Sequence, residues 1–294
     1  MKIAVFTKNR VNPAYGAARI GAERAAARLG AGVVHYVPER ADDAGQQAAL
    51  LERALEDRPD AMVVAPVHPT KLGAVLNRIA AAGVPMVGFI SRLSNPPWVS
   101  FVGSDDRRLA VELASVVFRR LSGKGSVVIV EGSGDSQTSI DRSLGFRDAA
   151  GNFPGIRIVA ECNGGYDFEI ARRGMEALLE RVSHVDAVVA ANDVMALGAI
   201  SALQMAGRTA LVAGVNAIPD AIKAIRNGSM LATADFNAMN LAAIAVECAI
   251  RHVRGEAVPR EVVLPVQIVD RDNVALWEGP YEGRPQLAWD AALV

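Results

Sequence analysis

Asn192-Asp193-Val194-Met195-Ala196-Leu197-Gly198-Ala199 is the stretch on which the reading of this chain turns. It follows an apolar run over 187–191 that reads as a buried parallel strand, and it opens an Ala-rich helix that reaches Met205. A polar pair at a strand-to-helix handover stands at the carboxyl edge of a sheet, where open α/β folds bind small molecules. Asp193 is placed to cap the helix, which leaves Asn192 to face the crevice.

Outward from this stretch the same alternation fills the chain. Strands are expected over 3–7, 32–37, 61–65, 85–89, 99–102, 126–131, 156–161, 187–191, 210–215 and 231–234. Helices are expected over 16–29, 44–57, 69–82, 106–121, 140–151, 168–181, 194–205, 219–227 and 240–254. Strand-helix-strand alternation calls for parallel sheets with helices on both faces. Gly30, Gly83, Gly151, Gly207 and Gly228 close helical runs, as left-handed C-caps would. At 294 residues the chain exceeds one compact core, and the strand count suits two similar lobes. The expected division is 1–103 with 237–265 as the N-terminal lobe and 104–236 with 266–294 as the C-terminal lobe. The seam falls at Gly103-Ser104-Asp105-Asp106, a return follows near Asp235-Phe236-Asn237, and a third crossing follows from the β character over 262–269. Three crossings make a hinge. Residues 277–294 show no periodicity and read as an irregular extension.

Composition excludes several classes of function. The formal net charge is -1, so no basic footprint for nucleic acid exists and none is expected to bind. No apolar run approaches the ~20 residues of a membrane span. Met1-Lys2 leads straight into a strand rather than a signal peptide, so the chain is either cytoplasmic or begins at a mature end with an added Met. Cys162 and Cys248 fit no metal or disulfide spacing, and His35, His68, His184 and His252 form no metal-ligand pair. Phosphate-binding P-loops and Gly-x-Ser-x-Gly elbows are missing, and Glu131-Gly132-Ser133-Gly134-Asp135 lacks the third glycine of a dinucleotide loop. No catalytic constellation, metal or cofactor is expected.

What recurs instead is a polar or aromatic residue just past each strand. Lys8, Asn12 and Tyr15 follow the first strand, and Ser91 and Arg92 the fourth. Arg142 lies near the sixth, then Tyr166, Asn192, Asn216 and Phe236 follow the seventh to tenth. Amides and guanidinium forks hold vicinal hydroxyls with paired hydrogen bonds, and aromatic rings cover the C–H face of a sugar.

These residues resemble those of the ribose-type periplasmic sugar-binding proteins, the solute receptors of ABC importers in the type I periplasmic binding fold. The resemblance covers residues 1 to about 270 and rests on six motifs. They are Asn12-Pro13-Ala14-Tyr15, Gly83-Val84-Pro85 before Ser91-Arg92, Gly103-Ser104-Asp105, Asp141-Arg142-Ser143-Leu144-Gly145-Phe146, and the stretch from Asn192, with Pro219-Asp220 after Asn216. It implies two Rossmann-like lobes joined by three crossovers that close over one monosaccharide or polyol. It also implies a membrane permease and a chemoreceptor as partners, a monomer, and a periplasmic location. By the same resemblance Asn12, Tyr15, Arg92, Arg142, Asn192 and Asn216 hydrogen-bond or stack on the ligand. Lys8 stands where relatives put a pocket lysine, Tyr166 where they put an aromatic, and Phe236 where they often put Gln.

Two departures bear on the ligand. Ribose-type receptors carry Asp where this chain has Ser91 and Asn216, which leaves Lys8, Arg92 and Arg142 with fewer carboxylates, Asp105 and Asp235 being the nearest. Buried cations without partners are costly, so an anionic sugar, an acid or a phosphate, stands as an alternative to a neutral one. A third reading is the effector core of a lac-repressor-type regulator, but the helix-turn-helix headpiece expected before the first strand is missing from this sequence. Arg142→Ala is expected to abolish binding with little change in melting temperature.

Overall fold

A computed structural model describes residues 1–293. The described chain divides into two compact units. The first comprises Met1–Ser104, Asn237–Pro265 and Pro280–Val294, and the second Asp105–Phe236 and Val266–Gly279.

In the first unit the strands are β1 Lys2–Phe6, β2 Gly32–Tyr36, β3 Ala61–Val64, β4 Met86–Phe89, β5 Ser100–Gly103 and, from the later return, β11 Glu261–Val263. They form one parallel sheet in the order β11-β5-β4-β3-β1-β2. The helices are α1 Pro13–Arg28, α2 Ala44–Glu56, α3 Gly73–Ala81 and α9 Ala238–Val253. β3 and β4 are buried at every residue, because helices cover both faces, and so their sequences run apolar without alternation. The alanines of α1 let it lie close against α9; a Cβ at Gly21 would collide with the Met239 carbonyl.

The second unit repeats the plan. Its strands are β6 Lys124–Glu131, β7 Gly155–Asn163, β8 Ala187–Ala190, β9 Leu211–Val215, β10 Ala232–Asp235 and β12 Gln267–Asp270, ordered β12-β10-β9-β8-β6-β7. Only β12, beside β10, runs antiparallel. Its helices are α4 Asp106–Arg120, α5 Gln137–Gly151, α6 Phe168–Leu179, α7 Asp193–Met205 and α8 Pro219–Asn227. In each unit the strand order reverses about the first strand, β1 between β2 and β3, and β6 between β7 and β8. Such a switch point opens a crevice at the carboxyl ends of its strands.

All ten expected strands and nine expected helices are present, and the 262–269 run resolves into two strands in different sheets. Three expectations need correction. Helix α1 begins at Pro13 rather than Gly16, because Pro fits the first helical position with Asn12 as cap. Gly30, Gly83, Gly207 and Gly228 have positive φ as C-caps require, but Gly151 is the last residue of α5 and Asn152 is the C-cap. Residues 280–294 belong with the first unit rather than with 266–279, so a fourth passage between units follows at Gly279. That tail docks by a few anchors: the Leu287 N–H donates to Asn240 Oδ1 at 2.8 Å, and the Arg251 guanidinium lies 4.5 Å from the Trp289 ring centre. Isolated anchors leave no period in the sequence. Among the described residues no helix is long and apolar enough to cross a membrane.

Candidate functional site

The candidate residues form two sets, one at the carboxyl edge of each sheet. In the second unit, α5 carries Arg142 into the interior, 4% exposed. Its Nε donates to Asp106 Oδ1 at 2.7 Å, its Nη1 donates to the Ala191 carbonyl at 2.7 Å, and its guanidinium lies 5.5 Å from the centre of the Phe236 ring. Asp106 is available for this because its neighbour Asp105 caps α4, accepting from the Arg108 N–H at 2.9 Å. The Arg142–Ala191 bond ties the guanidinium to the end of β8, one residue before Asn192. Arg142, Asn192 and Phe236 are thus brought together.

The order of work at the head of α7 reverses the sequence expectation. Asn192, not Asp193, is the N-cap: its Oδ1 accepts from the Met195 N–H at 2.9 Å. Either residue type caps well, and burial decides between them, since Asp193 is turned wholly into the interior. Capping uses only the oxygen of the Asn192 amide. Its Nδ2 is buried with no hydrogen-bond partner among the described residues. A buried NH2 group left unsatisfied costs roughly 1–3 kcal/mol.

Tyr166 sits in the left-handed region, φ 62°, with its ring over Gly132. Its hydroxyl is 3.1 Å from the Thr138 hydroxyl, and its N–H points at the Met195 sulfur at 3.3 Å. Asn216 follows β9 at φ 125° and is 6% exposed; Ala217 after it has φ 51°.

In the first unit, Lys8 is buried just past β1. Asp42, in the loop after β2, accepts from Asn9 Nδ2 at 3.2 Å and stands within charge range of Lys8. Burial pushes the Asp42 carboxyl up, and the Lys8 ammonium and the Asn9 amide pull it back. Asn12 caps α1 with its oxygen, accepting from the Ala14 N–H at 3.0 Å. Tyr15 is buried in the first turn of α1. Ser91 follows Ile90, a β-branched residue at φ 65°, and the Ser91 hydroxyl is buried without a partner among the described residues. Arg92 lies apart from these. It is about half exposed at 47%, ion-paired to Glu261 of β11, and stacked 4.6 Å from the Phe101 ring centre. Both partners, Glu261 of β11 and Phe101 of β5, lie on the side of β4 away from β1 in the strand order.

Left-handed backbone at residues other than glycine costs about 1–3 kcal/mol each and persists where surroundings over-determine it. Here it recurs at the carboxyl ends of β4, β7, β9 and β10, in Ile90, Tyr166, Asn216, Ala217 and Asn237. The same region is also occupied away from that edge, at Arg58 after α2 and Ser122 after α4.

Carboxylates of the chain stand near all three cations, as ion pairs for Arg142 and Arg92 and within charge range for Lys8. Arg142 has Asp106, Arg92 has Glu261 and Lys8 has Asp42, none of which sequence reasoning named. The one available signal was the doubled Asp105-Asp106 at a helix head, where one residue suffices for capping. Among the described residues no cluster of three or more His, Cys, Asp or Glu side chains could hold a metal ion.

Comparison with known proteins agrees with this arrangement. A family model described as periplasmic binding protein domain matches residues 3–257. A D-ribose/D-allose-binding protein of Pseudomonas aeruginosa is 30% identical over 77% of this chain and 75% of its own. A xylitol-binding protein of Mycolicibacterium smegmatis is 28% identical over 79% of this chain and 67% of its own. The solved structure of an ABC transporter periplasmic solute-binding protein from Actinobacillus succinogenes with bound D-allose superposes with a TM-score of 0.89 at 26% identity, over 93% of this chain and 99% of that one. The two-unit α/β architecture with mostly parallel six-stranded sheets is that of the type I periplasmic binding proteins. The chain belongs to the periplasmic binding protein domain family and is a binding protein rather than an enzyme.

Proposed function

We propose that the protein is the solute receptor of an ABC importer, that it takes one neutral monosaccharide or polyol at its carboxyl-edge residues, and that it delivers this solute to a membrane permease. The observation that carries the reading is charge balance: Lys8, Arg92 and Arg142 each have a carboxylate of the chain beside them. A site whose cations are already neutralised gains little from an anionic ligand and offers oriented donors and acceptors to hydroxyls. The unpartnered Asn192 Nδ2 and Ser91 Oγ are such groups. The names of the relatives, xylitol on one side and ribose and allose on the other, support the same ligand class. Ser91 and Asn216, Asn192, Asn12 and Tyr15 are the hydroxyl-binding residues of this proposal, Tyr166 and Phe236 its apolar walls, and Lys8 and Arg142 its paired cations. Arg92 acts at the margin. The protein works as a periplasmic monomer, and a chemoreceptor is a second partner.

The test is a thermal-shift series with D-ribose, D-allose, xylitol, sugar acids and sugar phosphates at low and high salt. A ligand that binds only the folded state at 100 times its Kd adds about 2.7 kcal/mol of stability, so a true solute raises the melting temperature. The expected result is a shift with a neutral compound that is insensitive to salt. Shifts confined to anionic compounds, fading as salt screens them, would overturn the neutral reading.

A further inference from the structure

Asp193 is fully buried, one residue after Asn192 at the head of α7. Its Oδ1 accepts from the Thr233 hydroxyl at 2.6 Å and its Oδ2 accepts from the Ile218 N–H at 3.0 Å. The Thr233 oxygen in turn accepts from the Ala217 N–H at 3.2 Å, and the Asn216 N–H donates to the Ala234 carbonyl at 2.8 Å. Three consecutive amides of the β9–α8 turn are therefore held, two of them through this one carboxylate. The turn needs holding. Asn216 at φ 125° and Ala217 at φ 51° occupy a region that non-glycine residues leave unless fixed. The carboxylate reaches them by lying flat on β9, where a Cβ at Gly214 would come within 2.6 Å of Oδ1.

We propose that Asp193 is the positioning residue of this site: bonded to Thr233 and Ile218, it keeps Asn216 at the backbone angle from which its amide meets the solute. The proposal rests on the receptor reading above. It makes affinity depend on a group that does not contact the solute, and it gives the Asp193–Thr233 pair a role beyond packing. The groups facing the carboxylate are Thr233 and Asp235 from β10, the Ile218 N–H from the β9–α8 turn and Arg142 from α5. Burial pushes its carboxyl up to about 7, with Asp235 adding to the rise, while Thr233, Ile218 and Arg142 oppose it.

The test combines amide exchange in the unliganded protein with binding in the variants Asp193→Asn, Thr233→Val and Thr233→Ser. In Asp193→Asn one acceptor oxygen becomes a donor, so the side chain cannot accept from both Thr233 and Ile218. Exchange is followed at Ala217 and Ile218. Binding is titrated with whichever of D-ribose, D-allose and xylitol binds the wild type most tightly. We expect Asp193→Asn and Thr233→Val to speed exchange at those two amides at least tenfold and to weaken binding about tenfold. Thr233→Ser, which keeps the hydroxyl, should restore both. In an Asn216→Ala background the same changes should alter Kd less than about twofold, because a residue acting through Asn216 has nothing left to position. Unchanged exchange would overturn the proposal, and so would equal losses with and without Asn216. Should Asp193→Asn not fold, the two Thr233 variants decide the matter alone. If none of the three compounds binds the wild type, the receptor reading fails, while the exchange result still upholds or overturns the hold of Asp193 on the turn.

Discussion

The two carboxyl edges are built alike in topology and differently in chemistry. In the second unit Arg142, Asn192, Asn216 and Phe236 are each less than a tenth exposed; Arg142 donates to Asp106 and the Ala191 carbonyl, Asn192 Oδ1 accepts from the Met195 N–H, and the Asn216 N–H donates to the Ala234 carbonyl. In the first unit Lys8, Tyr15 and Ser91 are buried, but Asn12 is only partly so and Arg92 is exposed. The second edge is buried throughout with hydrogen bonds already in place; the first adds a surface ion pair, Arg92–Glu261, to its buried residues. Preorganised groups bind with less ordering cost, so the second edge should set most of the affinity.

The largest effect that tests this contrast is that of Arg142→Ala. Removing one partner of a buried pair leaves Asp106 charged and uncompensated, which costs about 3–5 kcal/mol. The charged hydrogen bonds to solute are worth about 1.5–3 kcal/mol each, so binding should fall by tenfold or more for each one lost. Sequence alone led to the expectation of lost binding at an unchanged melting temperature. The Asp106 pair changes that expectation: calorimetry should show a melting temperature lower by several degrees. An unchanged melting temperature would mean that water replaces the lost guanidinium at Asp106.

Asn192 separates capping from binding. Asn192→Ala should cost about 1 kcal/mol through the lost cap, whereas Asn192→Ser keeps an oxygen for the Met195 N–H and should melt near the wild type. Both variants lose the buried Nδ2 donor, so isothermal titration should show the same loss in each, about tenfold. Different losses would show that the cap, not the donor, matters to the solute.

How far the sequence carried this picture depends on range. Strand-helix alternation is local, and Ala187–Ala190 or Pro219–Asn227 could be placed to within a residue. The position of Asn192 at a strand end followed from the same local pattern. Partners distant along the chain could not follow. Asp106 is 36 residues from Arg142 and Glu261 is 169 from Arg92, and nothing in either neighbourhood announces the pairing. The exchange of roles between Asn192 and Asp193 was hidden for another reason: both cap helices, and only the tertiary partners Thr233 and Ile218 draw Asp193 inward.

Asp193 also gives the second edge a pH signature. Its folded-state pKa of about 7 lies above the ordinary carboxylate value, so between about pH 4 and 7 the folded protein holds a proton that the unfolded chain has released. Stability contributed by this group is present at the acid end and is lost as pH rises through about 7. The slope of unfolding free energy against pH should therefore carry a negative component over that window in the wild type, and Asp193→Asn should remove it. Identical slopes would mean that Asp193 titrates as an ordinary solvated carboxylate.

The smallest effect is expected at the first edge. Arg92 pairs with Glu261 at about half exposure on both sides, and such surface pairs are worth roughly 0–1 kcal/mol. Its guanidinium is further engaged with the Phe101 face. Arg92→Ala should accordingly shift the melting temperature by no more than a degree or two and weaken neutral-solute binding less than about tenfold. Glu261→Gln offers the sharper variant, because it frees the guanidinium without removing it. If Glu261→Gln strengthens binding of an anionic compound such as a sugar acid while leaving xylitol unaffected, the carboxylate of β11 is what keeps the first edge neutral. If Arg92→Ala instead costs as much affinity as Arg142→Ala, the contrast between the two edges fails, and the exposed arginine is as much a part of the binding surface as the buried one.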